Sequence, residues 1–503
     1  MKRLAVTVFV AATLTACTLA PRYQRPESPV PDRWPADGAS QTAATSVAPG
    51  PSDTTAAPGV SADQIGWRDF FADPRLQRLI EIALDYNRNL RVAVLNVAAS
   101  EAQFRVQRGN LFPAISATGS GLDEKLPSNG ATPFGSFSNP SGSTATPNGI
   151  AGSTLHYYSA GIGFTNYELD LFGRERSLTT EAFEQYLAQS ETRRSTQISL
   201  VSEVATDYFA VLADQALVRL TQETLRSESE SYELTKAMYD HDTTTLLSLR
   251  QAESVVDAAR ANLAQYERQL AQDTHALRLV LGQEIPADLP SGKNIDDNQG
   301  QLAELPDGLP SDLLTHRPDI IAAEHDLRAA NANIGAARAA FFPSIQLTAS
   351  GGTASNRLGD LFSKGSGIWS FTPSISLPIF TAGRNRANLD LAHIEKNIEV
   401  ARYELAIQTA FREVSDALNA RGTYRDQRGS QEALVAADAD VYNLAEVRFR
   451  SGLDSYLTTL DAQRSLYSAQ QQLVILRQAE LANQVTLYKA LGGGWNLHTP
   501  PRQ

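Results

Sequence analysis

The 503-residue chain has one cysteine, Cys17, and two methionines, Met1 and Met238. A single thiol excludes an internal disulfide, and two thioethers exclude a soft-metal cluster. Beyond its first residues the chain has no run of eighteen or more apolar side chains, which leaves no transmembrane helix. A membrane crossing would have to use strands. Positive charge is short as well, with 44 Lys and Arg against 56 Asp and Glu and a formal charge of −12. Phosphate binding needs a basic face, so no nucleic acid is expected as a partner. The seven histidines show no His-Glu-x-x-His or other ligand spacing, and P-loop, Gly-x-Gly-x-x-Gly and Gly-x-Ser-x-Gly patterns are missing. Gly161 and Gly163 fall within a strand pattern, and Glu324-His325 within a helical run of charged and alanine residues. The expectation is a protein that is not an enzyme and carries no metal and no cofactor.

What is present begins at the amino terminus, "MKRLAVTVFVAATLTAC". Lys2 and Arg3 precede an uncharged apolar stretch from Leu4 to Leu14, a secretory signal too short to span a bilayer. Leu14, Thr15, Ala16 and Cys17 resemble the lipobox of bacterial lipoproteins, in which the thiol is acylated and the chain is cut before it. Residues 1–16 are thus a lipoprotein signal, and Cys17 would carry an N-palmitoyl and an S-diacylglycerol group. Thr18, where an aspartate would retain such proteins at the inner membrane, favours sorting to the outer membrane by the same analogy. Without Lys2 and Arg3 the formal charge is about −14.

Residues 36–64 are Ala, Thr, Ser, Pro and Gly with almost no bulky side chain, so 17–64 read as a lipidated extension and low-complexity tether. The remainder repeats itself. "LFPAISATGSG" at 111–121 recurs as "FFPSIQLTASGG" at 341–352, with Phe-Pro pairs 230 positions apart. "LFGRERS" at 171–177 answers "TAGRNRA" at 381–387 at a separation of 210, which also pairs Tyr239 with Phe449, Ala252 with Ala462 and Leu281-Gly282 with Leu491-Gly492. The expected division is a first repeat at 65–282, a Pro- and Asp-rich linker at 283–310, a second repeat at 311–492 and a tail at 493–503.

Each repeat alternates long helical and short strand-like segments. From Arg384 to about Phe449 there is no proline, and Ala387, Leu391, Ile394, Ile398, Ala401 and Leu405 follow the heptad spacing of a left-handed supercoil. Val400, Tyr403, Ile407, Phe411, Val414 and Leu418 form a second stripe on an adjacent face. A pair of helices needs one seam; a wall of helices needs two. Unbroken, ~65 residues would reach roughly 100 Å, with Gly422 and Gly429 the expected places of a break.

In the short segments, Trp369, Phe371, Ile375 and Leu377 alternate with Ser370, Thr372, Ser374 and Ser376. Ile345, Leu347 and Ala349 alternate with Ser344, Gln346, Thr348 and Ser350, and Tyr158, Ala160, Ile162 and Phe164 with Ser159, Gly161, Gly163 and Thr165. Such alternation fits a membrane barrel strand, or an ordinary half-buried sheet. The uncharged stretch 126–153, suited to an external loop, and the aromatics Tyr157, Tyr158, Trp369 and Phe371 favour the barrel. Four strands cannot stand open in hydrocarbon. Two copies would close eight strands around side chains, three would close twelve around a channel.

"HRPDIIAAEHDLRAANANIGAARAAFFPSIQLTASGG" (316–352) resembles the signature of TolC-like outer-membrane factors, in the lipoprotein branch typified by NodT and OprM. "PRYQRPESPVP", "YELDLFGRERS", "GLDSYLTTLDAQRSLYSAQQQL" and "LYKALGGGW" resemble other blocks of that branch, in its order. The resemblance implies a mainly α chain with a membrane β-barrel: a homotrimeric twelve-stranded barrel, four strands per chain, continued by a periplasmic coiled-coil helical barrel through an equatorial belt. It implies the exit duct of a resistance-nodulation-division efflux pump, in the outer membrane of a Gram-negative bacterium and in contact with its lipid. A periplasmic adaptor and an inner-membrane transporter would be its partners, and drugs or other small toxic compounds its cargo. Carried over by position, Leu457 would form an apolar ring and Asp461 an acidic ring at a periplasmic gate, with Arg464 and Tyr456 hydrogen-bonding to neighbouring helices. Helix tips at Asp242, Thr243, Gly452, Leu453 and Asp454 would receive the adaptor. Asp242 stands where the second repeat has Gly452, which sets the first turn in question. The bland reading of Asp461 and Arg464 is a surface i, i+3 pair. Two alternatives stay open: a duct for type I protein secretion, and a periplasmic coiled-coil lipoprotein scaffold without a pore.

Overall fold

The computed structural model describes residues 18–31, 64–125, 154–296, 302–305 and 315–499. The lipidation position Cys17, the tether at 36–63 and the stretch 126–153 lie outside them. In chain order the elements are α1 (Trp67–Phe70), α2 (Pro74–Tyr86), α3 (Arg88–Gly109), β1 (Ser116–Lys125), β2 (Thr154–Glu168), α4 (Arg174–Asp240), α5 (Leu246–Leu281), α6 (Pro318–Ala339), β3 (Ser344–Ser355), β4 (Gly367–Ser376), α7 (Arg384–Arg450) and α8 (Tyr456–Ala490). Helices α4 and α7 have 67 residues each and start 210 positions apart; α3 and α6 have 22 each and start 230 apart. Gly422 and Gly429 do not break α7, which is helical through both. A single glycine costs about 1 kcal/mol in a helix, too little to interrupt one packed along its length.

The two stripes of α7 part company in the folded chain. Tyr403, Ile407 and Val414 are buried, whereas Leu391, Ile394, Ile398 and Leu405 are 46% to 61% exposed. One seam is filled from within the chain and the other is left open.

Two compact units are interleaved along the sequence. One takes in the described parts of Met1–Gln24, Ser100–Tyr186 and Asp326–Glu399. It holds an antiparallel sheet in the order β1-β2-β3-β4. Register puts Ser116, Gly163, Ser350 and Ser370 in one cross-strand row, and Ala117, Ile162, Gly351 and Trp369 in the next. Rows alternate between faces, so one face carries small and hydroxyl side chains, joined by Ser120–Ser159 and Ser350–Ser370 hydrogen bonds of 2.7 and 2.8 Å. The other carries Tyr158, Ile162, Phe164, Trp369 and Phe371, while Leu122, Tyr157 and Ile368 fall on the first face. Both edge strands, β1 and β4, have one unpaired side among the described residues. A bulge between Phe164 and Tyr167 places Asn166 at φ +54°. At the sheet's lower end Arg174 clasps Glu168 through Nε and Nη2 at 2.9 and 2.8 Å, and Phe172 stacks on Phe342 with centroids 4.8 Å apart. In the same unit the segment following Cys17 is strapped to α6: Arg338 donates to the Leu19 carbonyl at 3.1 Å, Asn331 to the Pro21 carbonyl at 2.8 Å, and Arg328 lies over the Tyr23 ring.

The other unit comprises the described parts of Arg25–Ala99, Leu187–His325 and Val400–Gln503. Its core gathers Trp67, Phe70, Phe71 and Tyr488, with Phe70 stacked on Tyr488 at 4.0 Å. Each such side chain contributes about 1.5–3 kcal/mol by leaving water. The fully buried Asp73 ties three stretches to this core. It caps α2 by accepting from the Arg75 amide at 2.8 Å, and it accepts from the Tyr208 hydroxyl of α4 at 2.8 Å and the Lys293 amide of the linker at 3.0 Å. Replacing Asp73 by Ala would leave the buried Tyr208 hydroxyl and two amides without an acceptor. The expected result is a loss of about 2–4 kcal/mol, read as a lower melting midpoint of the detergent-solubilised protein. Asp73→Asn, which keeps one carbonyl acceptor, should lose less.

Candidate functional site

Two hairpins of helices end in short turns, 241–245 between α4 and α5 and 451–455 between α7 and α8. Their backbones close alike. Thr243 N–H donates to the Met238 carbonyl at 2.8 Å and Asp242 N–H to that of Tyr239 at 2.9 Å; Leu453 and Gly452 repeat this to Arg448 and Phe449, both at 2.9 Å. Both turns need a left-handed residue, Asp242 at φ +55° and Gly452 at φ +73°. The doubt over the first turn is therefore corrected: Asp242 adopts the same conformation as its glycine counterpart. A short polar side chain tolerates that region better than a branched or bulky one, at a cost glycine escapes. The turns differ in charge. Arg448 grips Asp454 across the second through Nε and Nη2 at 2.5 and 3.0 Å, and this hydrogen-bonded guanidinium lowers the Asp454 carboxyl below its ordinary pKa. Thr244 holds the equivalent place in the first. Asp242, Thr243, Gly452 and Leu453 are exposed and Asp454 partly so.

The four residues assigned to a gate divide between two faces of α8. Leu457, Asp461 and Arg464, spaced by four and three, are all exposed and make one stripe. Tyr456 faces the other way, buried with Leu460, Ala252 and Val255, its ring 5.4 Å from Phe449. Its hydroxyl finds no hydrogen-bond partner among the described residues, so the expected bond to a neighbouring helix is not made in this arrangement. Burial, then the nearby Glu228 and Tyr442, push its pKa up to about 12. Among the described residues no ion pair joins Asp461 to Arg464, and the surface i, i+3 pair is not formed. No group of three or more His, Cys, Asp or Glu among those residues could hold a metal ion.

Sequence reasoning missed a buried polar row on α4. Asp207, Asp214, Thr221, Glu228 and Thr235 recur every seven residues, and all but the half-buried Asp207 are nearly inaccessible. Thr221 meets the Tyr467 hydroxyl of α8 at 2.8 Å. Burial foremost, then hydrogen bonding and charge from Asp273, raises Asp214 to about 7; burial, then Glu203 and Asp273, raises Asp207 to about 6. The signal was legible as a heptad position that stays polar through an otherwise apolar supercoil.

Comparison with known proteins places this arrangement. A family model described as outer membrane efflux protein matches residues 79–283 and 309–493. The toluene efflux pump outer membrane protein TtgC of Pseudomonas putida is 51% identical over 492 residues, 98% of this chain and 95% of its own. The cation efflux system protein CusC of Escherichia coli is 40% identical over 487 residues, 97% of each. Among solved structures, the open-state MtrE outer membrane channel of Neisseria gonorrhoeae matches with a TM-score of 0.82 at 37% identity, over 96% of this chain and all of that one.

The two tips give a paired expectation. Asp242→Gly should raise the melting midpoint by relieving a left-handed side-chain conformation, and Gly452→Ala should lower it. Each change corresponds to about 1 kcal/mol, small against the whole but opposite in sign. Differential scanning fluorimetry on the two variants checks the signs.

Proposed function

We infer the function of this chain from one premise: it belongs to the outer membrane efflux protein family. It is an outer-membrane protein with a large periplasmic portion, mainly helical with four barrel strands per chain, and it works as the exit duct of a tripartite efflux pump. The family is one of channels, so its task is conduction rather than catalysis.

The observation that carries the finer reading is the sheet with two open edges. In hydrocarbon every unpaired edge amide costs several kcal/mol, so β1 of one copy must pair with β4 of the next. Three copies close twelve strands and leave a lumen, and the open seam of α7 supplies an apolar face for the neighbouring copy. Three Leu457 side chains then form an apolar ring and three Asp461 side chains an acidic one, with Arg464 in reach of the acids. The tips at Asp242, Thr243, Gly452, Leu453 and Asp454 receive the periplasmic adaptor, which links the duct to an inner-membrane transporter of the resistance-nodulation-division type. Cys17 carries the lipid anchor, and the strapping of Leu19 and Pro21 to α6 supports a fixed exit point for it. The cargo is small toxic compounds; the toluene and cation named for the relatives show how widely such ducts serve.

Two measurements test this. Light scattering with the detergent subtracted should give three chains per particle, and a folded monomer would refute the closed barrel. In planar bilayers, Asp461→Ala combined with Arg464→Ala should raise single-channel conductance severalfold. Equal conductance of variant and wild type would remove these residues from the gate.

A further inference from the structure

Duplication lets two connections of one unit be compared position by position at the separation of 210: 167–177, between β2 and α4, and 377–387, between β4 and α7. In the first, each of two arginines has an acid of its own. Arg174 holds Glu168. Arg176 reaches the Asp170 carboxylate through its amide and Nε at 2.9 and 3.1 Å, and its Nη2 donates to the Asp170 carbonyl at 2.8 Å. In the second, both arginines are kept, as Arg384 and Arg386, and both acids are gone. Pro378 stands for Glu168 and Phe380 for Asp170. The two guanidiniums are exposed and make no ion pair or hydrogen bond among the described residues. The first acid of α7, Asp390, lies one turn on from Arg386, is exposed and does not pair with it.

What stands in place of the acids is apolar and uncovered. Ile379 and Phe380 are 93% and 88% exposed, more than any other large apolar side chain among the described residues. They come shortly after the β4 row of Trp369, Phe371 and Ile375, on the face of the sheet that meets lipid in a closed barrel. There the sheet gives way to the long helix α7, so the patch falls on the periplasmic side, at the level of lipid headgroups. A carboxylate is unfavourable so near hydrocarbon. An arginine can lay its stem along apolar surface and keep its charge among the headgroups.

We propose that Ile379, Phe380, Arg384 and Arg386 form a docking site for an anionic phospholipid of the inner leaflet, with the apolar pair among its acyl chains and the guanidiniums on its headgroup phosphate. This rests on the barrel reading given above. Arginine suits the role, because its planar fork takes two phosphate oxygens at once and stays charged at every relevant pH. A neighbouring copy does not supply the missing counter-charge. Within the chain the first connection lies on 339–345, where the Leu169 amide donates to the Ile345 carbonyl at 2.8 Å. In the ring, duplication sets the second connection on 109–115 of the next copy, a stretch without an acid. Each chain then ties the foot of its last strand to the leaflet, which fixes the depth of the barrel.

The test uses the purified full-length protein in detergent, given phosphatidylglycerol, phosphatidylcholine or inorganic phosphate. Native mass spectrometry reads the lipid retained, and a melting curve reads stabilisation. Wild type is expected to retain phosphatidylglycerol severalfold better than phosphatidylcholine, and to melt higher with the first alone. Arg384→Gln combined with Arg386→Gln should melt like wild type in detergent, since both side chains are exposed, and should lose the preference. Phe380→Ser should retain less of both lipids with the preference kept. Equal retention of the two lipids by wild type overturns the proposal, as does an arginine variant that still prefers phosphatidylglycerol. Inorganic phosphate that raises the midpoint as far as the lipid does would make this a site for free anions and overturn lipid docking. A Phe380→Ser protein with unchanged lipid retention and fewer chains per particle in light scattering would give the patch to a contact between copies, again overturning it. A monomeric wild type would instead refute the barrel reading itself, and the site with it.

Discussion

The unpaired edge of a four-stranded sheet governs the rest of this molecule. In water such an edge is a liability; in hydrocarbon, where no solvent can bond its amides, it is not tolerated. A chain that ends its sheet at β1 on one side and β4 on the other has deferred that pairing to other copies of itself. Alternation then acquires a direction. Rows of Ser, Gly and Thr line the wet interior, and rows holding Ile162, Trp369 and Phe371 meet lipid. The same deferral recurs in the helices, where α7 buries Tyr403, Ile407 and Val414 at home and leaves Leu391, Ile394 and Ile398 for a neighbour. Assembly is thus written into the single chain twice, once in hydrogen bonds and once in apolar area.

A helical wall held only by apolar seams would be stable and hard to move. The polar row on α4 works against that. Acids at Asp207, Asp214 and Glu228 exchange apolar packing for groups whose burial is unfavourable when charged. Local stability that is low by composition is a physical basis for a gate, since the elements that move are drawn from the weakly packed end of a structure.

Much of this was legible in the residues. Heptads named the helices because a 3.5-residue period has few other uses, and the 210-residue offset fixed which helices correspond. The stripe Leu457, Asp461 and Arg464 came from resemblance, and geometry puts all three on one exposed face. What sequence could not supply was three-dimensional cancellation. Gly422 and Gly429 look like breaks because propensity is local, while the packing that overrides it is not. Asp242 looks unsuited to a left-handed turn, yet the flanking bonds from Thr243 and Asp242 hold it there. Tyr456 looks like a hydrogen-bond donor, and only its position one residue from the exposed stripe turns its hydroxyl into the core. Glu228 can be read from the sequence as one member of a polar heptad row, but its burial shows only once the helices are packed.

Duplication sharpens the point about charge. The first hairpin carries Leu247, Gln251 and Ser254 where the second carries Leu457, Asp461 and Arg464, and Leu246 where the second has Tyr456. The apolar position is kept in both and the ionic ones occur in the second alone. The Arg448–Asp454 clamp is likewise confined to the second turn. Two hairpins of one backbone plan therefore carry charge differently: the first keeps the acids Asp214 and Glu228 buried along α4, and the second exposes Asp461 and Arg464 on α8. In a ring of three chains, hairpins bearing Asp461 and Arg464 would alternate with hairpins bearing Gln251 and Ser254. Each Asp461 would then meet its like only across the axis and not at its side, and that spacing weakens the repulsion between the carboxylates.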